Sequence, residues 1–335
     1  MPVFRTRTVV NVMRGAKAFL NLEAGVTRGD VPGPAAAKAS PSGRPAGGVS
    51  PENMIWIFGT GRTGSTWLAA MMEEPEGHHV WFEPRVGTFF DPQRFERYGG
   101  KHFILAPQYR GVWLGSIRNF VLDGANARFP ELGEGGYLAV KEPGGSVGAS
   151  LIMEALPESR MVLLIRDPRD VVASWLDATK KGGWQAERRG EEGRRAESLA
   201  ETNPNAFVKR HAEAFLQHVG SAKVAYDAHA GRKVVVRYED LRADTLGTMR
   251  RMYDGLGVPA DGGQLARAVE KHAWENIPEQ DKGAGKFYRK ATPQAWREDL
   301  TRHQVKTVER ITEPLLAEFY PAQEATQNAG EGAAG

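Results

Sequence analysis

The stretch that most limits what this chain can fold into is Gly59-Thr60-Gly61-Arg62-Thr63-Gly64-Ser65-Thr66-Trp67-Leu68, a glycine-rich turn directly behind the apolar run Met54 to Phe58. Glycines let the backbone curl so that several N–H groups converge on one point, and the positive end of the helix that follows adds to their pull. A phosphate is the ligand that suits such a cradle. A Walker loop places Lys after its last glycine; here Ser65 stands there, and the cation has moved back to Arg62. That departure argues against hydrolysis of ATP or GTP.

Further apolar runs repeat the pattern. Met54 to Phe58, Tyr137 to Val140, Met161 to Ile165 and Lys233 to Val236 are continuous rather than alternating, which predicts buried strands. Helical stretches are predicted over Ser65 to Glu74, Val147 to Leu156, Pro168 to Thr179 and Leu241 to Leu256. Strand, helix, strand in this order predicts an α/β fold: a P-loop-type parallel sheet with helices on both faces. Ligands then bind at the carboxyl ends of the strands.

One such end carries Arg166-Asp167-Pro168-Arg169-Asp170-Val171-Val172-Ala173-Ser174-Trp175. Pro168 suits a first helical position and Asp167 the cap before it, so Arg166 should close the strand and Ser174 lie one to two turns into the helix.

Together these motifs resemble those of the PAPS-dependent sulfotransferases, where PAPS is 3′-phosphoadenosine 5′-phosphosulfate. The first is similar to the family's 5′-phosphosulfate loop. The resemblance implies that Gly61, Arg62, Thr63, Gly64, Ser65 and Thr66 bind the 5′-phosphosulfate, with Arg62 at the bridging and phosphate oxygens. Arg in place of Lys resembles carbohydrate and protein sulfotransferases more than cytosolic small-molecule ones. Arg166 and Ser174 match the pair that holds the 3′-phosphate. Val236-Arg237-Tyr238-Glu239-Asp240-Leu241 resembles the family's strand end with a Tyr near the adenine, which implicates Tyr238. Phe287-Tyr288-Arg289-Lys290-Ala291 resembles the loop that closes over the 3′-phosphate through Arg289 and Lys290, with Ala291 where the family has Gly. The likeness runs from about Ile55 to Phe319.

Sulfuryl transfer calls for fixed cations at the leaving group and a base at the acceptor. Arg62 answers the first need, and Lys141, in Val140-Lys141-Glu142-Pro143, matches a family Lys facing the transferring group. Cytosolic members carry a catalytic His two residues after that Lys; Pro143 stands there instead. The loop expected after the first helix offers Trp81-Phe82-Glu83-Pro84-Arg85, which resembles the segment bearing the catalytic Glu of several carbohydrate and tyrosine sulfotransferases. Glu83, beside Trp and Phe, is expected to be partly desolvated, with its pKa raised. Glu142 and His79 are the reserve bases.

Composition narrows what is left. The absence of Cys removes disulfides, thiolate nucleophiles and Cys-based zinc sites, and no metal is expected. A net charge of +3 does not imply nucleic acid. No run is apolar enough to span a membrane, and a cytoplasmic location is the default. Residues 1–24 form a basic arm or helix with peripheral membrane contact as one option, 25–51 a flexible linker, 52–320 the sulfotransferase domain and 321–335 a disordered tail. The Arg-, Glu- and Gly-rich segment 182–201 is expected to be a solvated helix or mobile loop. The acceptor, a small molecule, carbohydrate or lipid, is expected to meet Val86 to Gly136, with Phe89, Phe90, Tyr98, Tyr109, Trp113, Phe120 and Phe129. The alternatives are a P-loop small-molecule or nucleotide kinase and a non-catalytic PAPS-binding protein.

Overall fold

The computed structural model describes residues 48–91, 109–132, 135–185 and 190–321. The basic arm, most of the linker, the tail from 322 and Tyr98 lie outside them. The chain gathers into two compact units: one runs to Arg166 and resumes over Gln217–Pro293, and the other holds Asp167–Leu216 and the chain from Gln294.

The first unit is built on five parallel strands, β1 (Met54–Phe58), β2 (His78–Phe82), β3 (Tyr137–Lys141), β4 (Arg160–Ile165) and β5 (Lys233–Arg237), in the order β2-β3-β1-β4-β5. β1 is buried along its whole length, as its unbroken apolar run predicts. The chain steps from β1 to one side for β2 and β3 and to the other for β4 and β5. The reversal therefore falls at the carboxyl end of β1, where open α/β sheets take their ligands.

Helices cover both faces. Ile55, Ile57, Ala139, Val162 and Leu164 point to one face and pack with α1 (Ser65–Glu73), α8 (Thr245–Leu256) and α9 (Gly262–Lys271). Each fully buried Ile, Leu or Met in that layer stabilises the unit by about 1.5–3 kcal/mol. Trp81 points to the other face, against Gly124 of α2 (Arg110–Arg128), which packs with α3 (Ala149–Ala155). The short helix α7 (Tyr238–Ala243) follows β5 directly.

Several sequence expectations need correction. His78–Phe82 is a strand, not part of a loop; two histidines and a half-exposed edge position hid it. β5 is the other edge, with Val235 37% exposed, rather than a buried strand. The predicted helix at Val147 starts at Ala149 after a 3-10 turn, Pro143–Gly148, and the one at Leu241 is divided into α7 and α8. The linker's last residues are packed: Val49 is buried, and its N–H donates to Asn126 Oδ1 at 2.6 Å.

The second unit contains α4 (Pro168–Thr179), α5 (Gly190–Thr202), the first half of α6 (Pro204–Ala228), α10 (Trp296–Asp299) and α11 (Arg302–Phe319). α4 begins as predicted, with Asp167 accepting from the Arg169 N–H at 2.9 Å. Within this unit the buried Asp170 carboxylate accepts from the backbone N–H groups of Gln294 and Trp296 at 2.8 and 3.0 Å. Part of 182–201 is the helix α5, with Glu191 and Arg195 on a solvated face. Among the described residues no helix is long and apolar enough to cross a membrane.

Candidate active site

The glycine-rich turn leaves β1 at the reversal point. Its first N–H, of Gly59, donates to the buried Ser146 Oγ at 2.9 Å, and Thr63 Oγ1 closes the turn on Thr60 O at 2.8 Å. Gly64 opens α1 at φ 83°, a left-handed conformation. A Cβ there would also lie 2.6 Å from the ring of Tyr238. Ser65 is buried and Thr66 half-buried in the first helical turn, whose N–H groups have no acceptor within the helix.

Arg62 within the turn, Arg166 beside it and two aromatic rings pack together. The Arg62 guanidinium donates to Phe287 O at 2.8 Å and lies 5.0 Å from that ring's centre. Arg62 O accepts from Arg166, whose guanidinium stacks 4.3 Å from the Tyr238 ring. Arg289, nearly buried, follows Phe287 by two residues, and Lys290 is exposed. Ala291 adopts φ 50°, so the backbone takes the glycine-like conformation without the glycine. That costs about 1 kcal/mol. Tyr238 opens α7 rather than closing β5. Ser174 belongs to the second unit and is buried on α4.

The register sets Lys141 beside Ile57 on β1 and Phe82 on β2. Its ammonium is buried over the Phe82 ring, 3.8 Å from the centre, and 2.5 Å from Glu83 Oε1. The Glu83 side chain, 35% exposed, meets Lys141: its left-handed backbone, at φ 48°, takes it out of the strand, whose alternation puts Trp81 on the face away from Lys141. Glu142 is fully inside, and burial pushes its carboxyl up to about 7. His79 lies near the amino end of β2, 3.8 Å from Glu131, away from the strand ends that carry the site.

Of the aromatics expected at the acceptor, Trp113 and Phe129 are core. Tyr109 is 44% exposed, and Phe90 packs edge-on against Phe120. Phe89 and Phe120, both more than half exposed, line a cavity of about 370 Å³ with Trp81, Pro84, Val86, Asp123 and Gly124. Trp81 and Pro84 flank Glu83 in the chain.

Sequence reasoning missed the parts played by Ser146 and Trp67. Trp67 Nε1 donates to His272 O at 2.8 Å, and its ring meets Tyr238 edge-on at 6.5 Å. An indole one turn into a phosphate-loop helix was the available signal.

A parallel sheet with a glycine turn at its reversal point, Arg166 bonded to that turn and a Lys–Glu pair at the end of the neighbouring strand define a P-loop α/β protein. Residues 54–262, more than half of the chain, match the model of the sulfotransferase family, and the chain belongs to that family. Mouse sulfotransferase SULT7A1, solved in complex with PAP, is similar in fold at 10% identity and TM-score 0.51, over 80% of this chain and 85% of its own. Sulfotransferase STF9 from Mycobacterium avium aligns at 15% identity and TM-score 0.47, over 81% of this chain and 78% of its own. No curated protein matches the chain by sequence.

Proposed function

We propose that the protein transfers a sulfuryl group from PAPS to an acceptor hydroxyl. The observation that carries this reading is the placement of Arg62 and the Lys141–Glu83 pair on the carboxyl ends of adjacent strands, with Ile57 and Lys141 in register. A cation on each of two neighbouring strand ends supports stabilisation of leaving-group charge, and a carboxylate beside Lys141 supports a base.

The residues present fit the cofactor. Gly64 keeps side-chain atoms out of the phosphate turn, Tyr238 and Trp67 offer rings for an adenine, and Arg166 with Arg289 and Lys290 offers cations for a 3′-phosphate. PAPS supplies the activated sulfuryl group. Arg62 and Lys141 neutralise charge growing on the leaving oxygen, while Glu83 takes the proton of the attacking hydroxyl. The small acceptor is assigned to the aromatic cavity lined by Trp81, Phe89 and Phe120, which would hold it by an apolar surface.

Ligand-dependent melting with transfer of labelled sulfate tests this. At saturating concentration PAP should raise the Tm by roughly 5 °C. AMP, lacking the 3′-phosphate, should raise it far less, and label should pass from PAPS to at least one hydroxyl in an acceptor panel. Equal stabilisation by PAP and AMP would refute the 3′-phosphate assignments. PAP binding without transfer to any acceptor would favour a non-catalytic protein.

A further inference from the structure

The two loops that carry Glu83 and Lys141 are clamped by a residue that touches neither reacting group. After β2 the chain makes an abrupt turn in which both Glu83 and Arg85 are left-handed, at φ 48° and 58°. Non-glycine residues hold that conformation only where the surroundings over-determine it. Here the surroundings are the loop after β3. The Glu83 N–H donates to Lys141 O at 2.9 Å, and the Arg85 N–H donates to Glu142 Oε2 at 2.8 Å. A Cβ on Gly87 would collide with Gly145 O, so the two loops meet backbone to backbone. The Glu142 N–H is fixed on Ile57 O of β1 at 2.9 Å, and Glu142 O accepts from Ser146 Oγ, which also receives the Gly59 N–H of the phosphate turn. Glu142 thus joins the phosphate turn, the end of β3 and the turn bearing Glu83.

We propose that Glu142 is a positioning residue rather than the base: its buried carboxyl, by accepting the Arg85 N–H, holds the strained turn that keeps the Glu83 carboxylate on Lys141. The claim rests on the sulfotransferase reading above. Glu142 is fully buried, and its second oxygen, Oε1, makes no hydrogen bond among the described residues. An acceptor hydroxyl outside the protein surface therefore has no direct access to it. The charged groups facing it are Glu83 and Arg85, and His218 lies nearby on the Pro143 carbonyl at 3.2 Å. Burial keeps the carboxyl partly protonated near neutral pH, with Glu83 adding to the effect and the N–H groups of Arg85 and Gly87 opposing it. Ionisation of Glu142 should therefore tighten its hold on the Arg85 N–H and leave its mark on turnover near pH 7.

The test compares Glu142→Gln with Glu142→Ala, each with PAP melting as a check of folding and cofactor affinity. Gln keeps an acceptor oxygen for the Arg85 N–H but cannot take a proton; Ala keeps neither. The expected result is that E142Q retains turnover within about tenfold and loses the ionisation near pH 7 from its kcat profile, whereas E142A loses on the order of 10²-fold in kcat. PAP affinity should change little in either. If E142Q is as inactive as E142A with PAP binding intact, Glu142 is the base and the proposal is wrong. A kcat profile with the same ionisation in E142Q as in the wild type would also overturn it. If E142A does not fold, E142Q alone decides by the same criteria. Gly87→Ala, which pushes the same turn without touching the carboxyl, should lower kcat like E142A; full activity in it would count against the clamp. Failure of wild-type protein to bind PAP would refute the cofactor reading instead, which keeps the two failures apart.

Discussion

At the scale of single residues the site is a set of charges, each held by backbone. Lys141 is buried and so needs a counter-charge, which Glu83 supplies. Glu83→Gln keeps the side chain's shape and an oxygen for the Lys141 ammonium, and removes only the proton acceptor. Turnover is expected to fall roughly 10²- to 10⁴-fold with PAP binding unchanged, and an acidic phenol should be sulfated by the variant with a smaller loss than an alcohol. Equal losses for the two acceptors, or retention of most activity, would remove Glu83 from that role. The positions of Arg62, in a glycine turn, and Lys141, at a strand end, were legible because such places have plain sequence signatures. The partner of Glu83 was not. Trp81 and Phe82 are neighbours in sequence, but a strand sends them to opposite faces, so only Phe82 shares a face with Lys141, whose ammonium Glu83 meets. The burial of Glu142 was hidden for the same reason, since it depends on a Gly87–Gly145 contact between loops more than fifty residues apart.

At the scale of elements the phosphate turn and α1 act as one piece. The turn works only if its last residue can be left-handed and carry no side chain, because Tyr238 of α7 lies over Gly64. Gly64→Ala is therefore expected to meet a backbone penalty of about 1–2 kcal/mol and a clash with that ring. Titration with PAP should show affinity at least tenfold weaker, on the order of the tenfold that each 1.4 kcal/mol brings. Undiminished affinity would mean that the left-handed opening of α1 is not what the ligand uses. The central strands and α4 could be read from sequence, since continuous apolar runs and an Asp-Pro start are local signals. The edge strand β2 and α2 could not. β2 mixes histidines with aromatics, and α2 exposes Val112 and Phe120 opposite a buried face of Trp113, Ile117 and Val121, which blurs its helical period.

At the scale of the whole molecule buried titratable groups pull stability in opposite directions with pH. Burial raises the Glu142 carboxyl from 4.5 to about 7, so the folded chain holds this proton more tightly than the unfolded one. That contribution is fully present below about pH 4.5 and is lost as pH rises through about 7. His78, His218 and His229 are lowered from 6.5, chiefly by burial, so the folded chain keeps them neutral. Their contribution is present above pH 6.5 and is lost as pH falls through their lower folded values. The raised carboxyl amounts to about 3 kcal/mol between its two limits, an upper figure for a single group. Glu142→Gln removes that titration and leaves the histidines in place. Comparing wild type with E142Q at pH 5 and pH 8 therefore isolates the carboxyl, because the imidazole contribution cancels in the difference. On going from the lower to the higher pH the wild type is expected to lose several degrees of Tm relative to the variant, at roughly 2–4 °C per kcal/mol. A difference that stays flat across this range would mean that the carboxyl is not held in its protonated form by the fold, and a difference of opposite sign would mean that Glu142 is stabilised as the anion.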